Sequence, residues 1–295
     1  MKNIIIFGTG EFGKDAYRYY QLQSDIHIVA FSDNNETKHY TQFFDNKIIP
    51  PQEISFLQYD EIVIASSFDD EIFQQLLHLE IEKEKIKILN LNQIKIQLHN
   101  GDRLLLAQKL MLDLATFFNT NNISYHIDHG TLLGIIRDNS LLPWDIDVDF
   151  AIEEKDKNLV LELLTRYLEN YQIEYCKNNN WRCSIHNCMM LLEDTIESLP
   201  MVIKVFNDSD DPISNSFFVD IELKYSLHGT LYWMVGSRKL SVPADICFPA
   251  TSIHFQNNTL LVPKETDDYL KLLYGNWKKV IKEWSYDQYS NIEEK

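Results

Sequence analysis

The residues best equipped for chemistry lie in one stretch, Trp144-Asp145-Ile146-Asp147-Val148-Asp149-Phe150. Acidic and apolar residues alternate there. The alternation predicts a strand with Asp145, Asp147 and Asp149 on one face and Ile146, Val148 and Phe150 on the other. Carboxylates sharing a face repel one another and are costly to bury unpaired. A divalent metal supplies the missing positive charge most compactly, and hard oxygen ligands suit Mg²⁺ or Mn²⁺ rather than zinc. The plainer alternative is an edge strand that turns its acids to water.

Gly130-Thr131, upstream of the acids, argues for chemistry. A Gly-Thr turn that opens a helix offers backbone N–H groups to a phosphate, and nearby acids hold the metal that bridges it. A turn of this kind followed by an acidic strand is the arrangement of the nucleotidyltransferase fold. A further acid is expected on a neighbouring strand, and Phe217-Phe218-Val219-Asp220-Ile221-Glu222-Leu223 fits. Asp220 is favoured over Glu222, as a metal ligand or as the base that takes a proton from an attacking hydroxyl. Arg137 either caps the helix C-terminus electrostatically or contacts a phosphate or the acids. Trp144 stacks on a base or sugar, or belongs to the core. His126 reads as structural, while His129 is open. Cys176, Cys183, His186 and Cys188 cluster in sequence, but without the tight C-x-x-C pairs of common zinc sites they read as reduced cysteines.

A second motif opens the chain. Gly8, Gly10 and Gly13 fit G-x-G-x-x-G between the apolar run Ile4–Phe7 and a helical stretch, and Asp33 closes the next strand 20 residues after Gly13. Such glycines permit a tight turn and a phosphate at the helix N-terminus, and the acid can accept from a ribose hydroxyl. The competing reading is that they only let strand and helix pack closely. No Tyr-x-x-x-Lys follows in this half, so redox use of a nicotinamide is disfavoured.

The elements behind these motifs divide into two patterns. Strand-like segments (4–7, 26–31, 61–65, 86–90) alternate with helical ones (14–22, 70–79) in the first hundred residues, which favours a parallel sheet. From Arg103 to Phe118, apolar residues recur at helical spacing, and Ser124–Asp128 reads as a strand. The Asn/Gln-rich stretch 90–100 is the expected boundary between domains 1–96 and 97–295. The fold class expected is an α/β N-terminal Rossmann-like domain followed by an α+β nucleotidyltransferase-fold domain. The formal charge of −17 makes the 295-residue chain a poor nucleic-acid or anionic-membrane binder. It has no apolar run long enough to span a bilayer and no signal-peptide core, so a cytoplasmic protein is expected. A peripheral position at the inner face of the membrane and a homo-oligomer are both compatible with it.

Residues 105–285 resemble the LicD family, which includes bacterial phosphocholine transferases and animal fukutin-like proteins. The resemblance rests on Gly130-Thr131-Leu132-Leu133-Gly134, Arg137, Pro143-Trp144 and the acids at 145, 147 and 149. Many bacterial members carry an acid where Ile146 stands; the D-x-D-x-D that remains is similar to the fukutin-related version. Val262-Pro263-Lys264-Glu265, Tyr269-Leu270 and Leu273-Tyr274-Gly275-Asn276-Trp277 resemble the family's closing strand and helix. The resemblance implies transfer of an alcohol phosphate from a CDP-activated donor (CDP-choline, CDP-ribitol or CDP-glycerol) to a glycan hydroxyl, in modification of surface polysaccharide, lipopolysaccharide or teichoic acid. It implies Mg²⁺ or Mn²⁺ on Asp147 and Asp149 with Asp145 assisting, Asp220 as base or further ligand, and Gly130, Thr131, Arg137 and Trp144 at the substrate. The alternatives are a nucleotidyltransferase moving NMP from an NTP to a small molecule, and a non-catalytic scaffold for glycan enzymes.

Overall fold

The computed structural model describes all residues except 22, 67, 90–95, 100, 193–194, 210, 212, 215–216, 237, 283–288 and 293–295. The chain forms two compact units, Met1–Lys95 and Ile96–Lys295. Most of the stretch 90–100, expected as the boundary, lies outside the described residues.

In the first unit, β1 (Lys2–Phe7) is the central strand. Its isoleucines are buried on both faces, as a parallel strand between two helical layers requires. Ile4 and Ile6 pack with Ala16 and Tyr20 of α1 (Glu11–Gln21), and Ile5 and Phe7 with Ile72 and Leu76 of α2 (Asp69–His78). β2 (Ile26–Ser32) and β5 (Glu61–Ile64) flank β1, and β4 (Asn46–Ile49) and β6 (Ile86–Ile88) lie outside them, all parallel. A two-residue strand, β3 (Gln42–Phe43), closes one edge antiparallel to β4. The order β3-β4-β2-β1-β5-β6, with helices against both faces, is a Rossmann-like α/β sheet. The short strand β4 has no signal in the sequence beyond Ile48-Ile49.

The second unit is α+β with its own core. The 19-residue α3 (Asp102–Thr120) buries Leu106, Leu110, Met111, Leu114 and Phe118 against a mixed sheet. Next come β7 (Tyr125–Ile127), α4 (His129–Asp138), β8 (Val148–Glu153) and α5 (Lys157–Leu168). β9 (Trp181–Leu192) and β10 (Thr195–Asn207) pair antiparallel, and β10 pairs antiparallel with β11 (Phe218–Leu227). β11 runs parallel to β8 on its other side, with Asp220 beside Asp149. β12 (Thr230–Val235) and β13 (Arg238–Pro243) extend the sheet from the end of β11. A short helix α6 (Ala244–Cys247), the hairpin of β14 (Thr251–Phe255) and β15 (Asn258–Val262), and α7 (Thr266–Tyr274) complete the unit.

One expectation is corrected. The acidic run is not a strand along its length: β8 begins only at Val148, and residues 145–147 are an irregular segment between the turn at Pro143-Trp144 and that strand. The ladder partners run out there. Phe150 pairs with Ile127, the last residue of β7 before α4 starts, and Val148 pairs with Val219 near the start of β11. The backbone of residues 143–145 is tied instead to the preceding segment, where Leu98 N donates to Asp145 O and His99 N to Pro143 O.

Candidate active site

Although strand alternation does not align them, Asp145, Asp147 and Asp149 converge. Each offers a carboxylate oxygen within 4.8 Å of the others, and all three are half-buried. The convergence is built against the start of α4. A Cβ at Gly130 would collide with the Asp145 carboxylate, so only glycine lets the acid lie on the first turn of the helix. The Asp149 N–H donates to Thr131 Oγ1 at 2.9 Å, and the Asp128 N–H to Asp149 O at 3.0 Å, which locks the beginning of β8 to the same turn. Crowding has an electrostatic cost. Burial, and then the neighbouring Asp147, push Asp145 up to about 8, and burial with Asp147, Asp145 and Asp220 pushes Asp149 well above the usual carboxylate range. An all-oxygen donor set with this spacing and this excess of negative charge fits a hard divalent cation such as Mg²⁺ or Mn²⁺.

Asp220 stands one strand away. Its two oxygens accept from Lys204 Nζ at 2.8 and 2.7 Å. Burial would lower the lysine, but Asp220, and then Asp147 and Asp149, hold it above its usual range.

Behind the acids lies a buried polar layer. Asp128 caps α4, accepting from His129 N at 2.8 Å, and pairs with the fully buried Lys224. Tyr269 donates its hydroxyl to Asp128 at 2.7 Å and accepts from Lys224 at 2.6 Å, and the ammonium lies 3.7 Å from the centre of the Trp233 ring. Burial alone would raise Asp128; Lys224 outweighs it and holds the carboxyl low. His129 has a φ of 43°, in the left-handed region, and its ring is held on both sides, by Glu222 at 2.9 Å and Tyr289 at 3.0 Å. Burial would lower this imidazole, but Glu222 and Asp128 raise it. Asp128, His129 and Glu222 form the second close group of potential metal ligands among the described residues. Lys224 already supplies a positive charge there.

The other sequence candidates fall into distinct places. Gly130 contacts Asp145. Thr131 is buried and braces Asp149 through its hydroxyl. Arg137 bonds Asp138 at 2.8 and 2.9 Å rather than any of the three acids, one residue before the helix ends. Trp144 is half-buried against the core, with Lys282 Nζ 5.4 Å from its ring centre. His126 is fully buried, with Nε2 unpartnered, and burial pushes it down to about 4. None of Cys176, Cys183, His186 and Cys188 joins a potential metal group among the described residues.

In the first unit, Gly8, Gly10 and Asp33 line a cleft of about 710 Å³ at the C-terminal ends of β1, β2 and β5, with Phe12, Asn34 and Phe68. Gly13 lies where a Cβ would strike Gly8 O, so it serves close packing of α1 on the turn. The Asp33 carboxylate accepts from the Thr9 N–H and hydroxyl, the Asn35 N–H and Lys38 Nζ.

The sequence reading missed Asp128, Lys204 and Lys224 as site residues. The lysines had a signal, each being the lone cation in an apolar strand: Met201-Val202-Ile203-Lys204-Val205-Phe206 and Ile221-Glu222-Leu223-Lys224-Tyr225. Asp128 had one too, an acid immediately before a helix.

Residues 122–265 match the LicD/FKTN/FKRP nucleotidyltransferase domain. The second unit carries a LicD-family domain. A LicD domain points to transferase chemistry of the phosphotransferase or nucleotidyltransferase kind in glycan modification. Residues 1–87 match the domain described as C2185-like, N-terminal. An uncharacterized protein of Rickettsia prowazekii (strain Madrid E) is 32% identical over 84 residues, 28% of this chain and 32% of that one. One from Rickettsia typhi (strain ATCC VR-144 / Wilmington) is 31% identical over 86 residues, 29% and 28% of the two chains. The chain thus spans about a third or less of the length of the curated relatives it matches. Among solved structures, a UDP-D-quinovosamine 4-dehydrogenase from Vibrio fischeri shares 20% identity over 30% of this chain and 75% of its own, with a TM-score of 0.25. A myo-inositol dehydrogenase from Corynebacterium glutamicum ATCC 13032 shares 12% over 92% and 83%, with a TM-score of 0.27. Likeness at this level says nothing of activity. Among the described residues, no helix is long and apolar enough to cross a membrane.

Proposed function

We propose that the LicD domain is a Mg²⁺- or Mn²⁺-dependent phosphotransferase that moves an alcohol phosphate from a CDP-activated donor to a glycan hydroxyl. The observation that supports this reading is the convergence of Asp145, Asp147 and Asp149 within 4.8 Å, against the first turn of α4 at Gly130. A divalent ion on these acids would neutralise the charge that grows on the CMP leaving group and align the attacking oxygen. Helix N-termini favour anions, so the start of α4 is the place for the donor phosphates. Thr131 keeps the Asp149 backbone in position. Asp220, beside Asp149 in the sheet, is the group to take the proton of the acceptor hydroxyl. Trp144, next to the acids in sequence, offers a ring face to the nucleotide or alcohol.

The cleft of the first unit suits a nucleotide or sugar nucleotide, through the turn at Gly8 and Gly10. With the Asp33 carboxylate engaged by its own chain, recognition would rest on the backbone and on Phe12, Asn34 and Phe68.

The test is product analysis with Mg²⁺ and CDP-choline, CDP-ribitol, CDP-glycerol or common NTPs, with a glycan acceptor. CMP released from one CDP-alcohol, with its phosphoalcohol on the glycan, supports the proposal. Pyrophosphate released from an NTP, without CMP from any CDP-alcohol, replaces it with nucleotidyl transfer.

A further inference from the structure

Three strands place three charged side chains in a row. Lys204 on β10 is directly opposite Asp220 on β11, and Asp220 is in register with Asp149 on β8. Residues in register on adjacent strands project from the same face of a sheet, so the row runs from the ammonium through Asp220 to the acid cluster. The ammonium is well fixed. Nζ donates to both oxygens of Asp220, at 2.8 and 2.7 Å, and lies 4.9 Å from the centre of the Phe218 ring, on the same strand as Asp220. Lys204 is also partly buried, so its charge is only weakly screened by water.

We infer that the active site takes a single divalent ion, on Asp145, Asp147 and Asp149, and that the Lys204 ammonium stands where a second ion would sit, keeping Asp220 off the metal. This rests on the reading of the three acids as a metal site. A second divalent ion bridging Asp149 and Asp220 would need oxygens that Lys204 already engages, and it would lie beside an ammonium with like charge. A lysine in this place supplies positive charge without metal loading and leaves Asp220 a base rather than a ligand. Paired two-metal sites, by contrast, clamp both the attacking and the leaving oxygens with ions.

The experiment is Mn²⁺ binding to the full chain, counted by equilibrium dialysis and electron paramagnetic resonance, without donor. Wild type is expected to bind one Mn²⁺, and Asp149→Asn to lose it. Asp220→Asn should still bind one, with an affinity lowered by the lost neighbouring charge but not abolished, because Asp220 is not a ligand. Lys204→Met should gain a second, spin-coupled Mn²⁺, and Lys204→Arg should stay at one. Two ions in wild type, loss of the ion in Asp220→Asn, or a single ion in folded Lys204→Met each overturn the inference while leaving the metal site standing. No Mn²⁺ on wild type overturns the metal site itself, and the inference with it. If Lys204→Met does not fold, the ion counts of wild type and Asp220→Asn still decide the matter.

Discussion

The Asp33 carboxylate and the acids around Asp149 occupy comparable places. Each lies beside a glycine turn that opens a helix, α1 in one unit and α4 in the other. Their surroundings are opposite. Burial pushes Asp33 up, but donors from Thr9, Asn35 and Lys38 outweigh it and hold the group below the usual carboxylate range. Asp145 and Asp149 lie among other acids and are raised. A carboxylate whose own chain supplies the compensating donors is held in place as structure. A group of carboxylates that lacks enough of them is left to hold protons or to accept positive charge from outside. Asp128 and Asp220 stand between these cases, each matched by one lysine.

The contrast breaks most directly at the acids. Asp147→Ala or Asp149→Ala is expected to lower CMP release on the order of a thousandfold while circular dichroism shows the fold retained. Activity at wild-type level in both variants would put the chemistry elsewhere. Lys224→Met leaves Asp128 buried without its cation, and is expected to cost about 3–5 kcal/mol in urea unfolding of the second unit.

His126 tests a buried group that is kept neutral. Its folded value of about 4 lies below the unfolded value of about 6.5. Its stability contribution is therefore present above the unfolded value and is lost as pH falls toward the folded one. Relative to His126→Phe, the wild type should lose about 3 kcal/mol between pH 7 and 4 in urea titrations. A pH-independent difference would show that the imidazole is not held neutral. The smallest effect is expected from Asp33→Asn, about 1 kcal/mol off the stability of the first unit with CMP release unchanged. A large loss of turnover in that variant would erase the distinction between the two carboxylate settings.

Much of the architecture was legible from local pattern. The isoleucine run Ile4–Ile6, the glycine motif and the periodic apolar stripe of 103–118 each encode an element through short-range rules, and β1, the turn at Gly8 and α3 follow them. Local pattern misled at the acidic run. Alternation looks the same whether or not a neighbouring strand is present, and β8 starts at Val148 because its ladder partners end there. The role of Arg137 was equally undetermined by sequence, since either reading fits a residue near a helix end. The structure pairs it with Asp138.

The amino-acid sequence by itself determined which groups are near one another along the chain: the acids at 145, 147 and 149, the Gly130-Thr131 turn and the glycines of the first unit. Only the tertiary structure decided which charged and polar groups meet around them. Lys204 meets Asp220 across 16 residues, Glu222 meets His129 across 93, and Tyr269 meets Asp128 across 141. Such partners are set by strand register and helix packing. Coulomb and hydrogen-bond energies depend on distance in space, and that distance exists only once the sheet has formed.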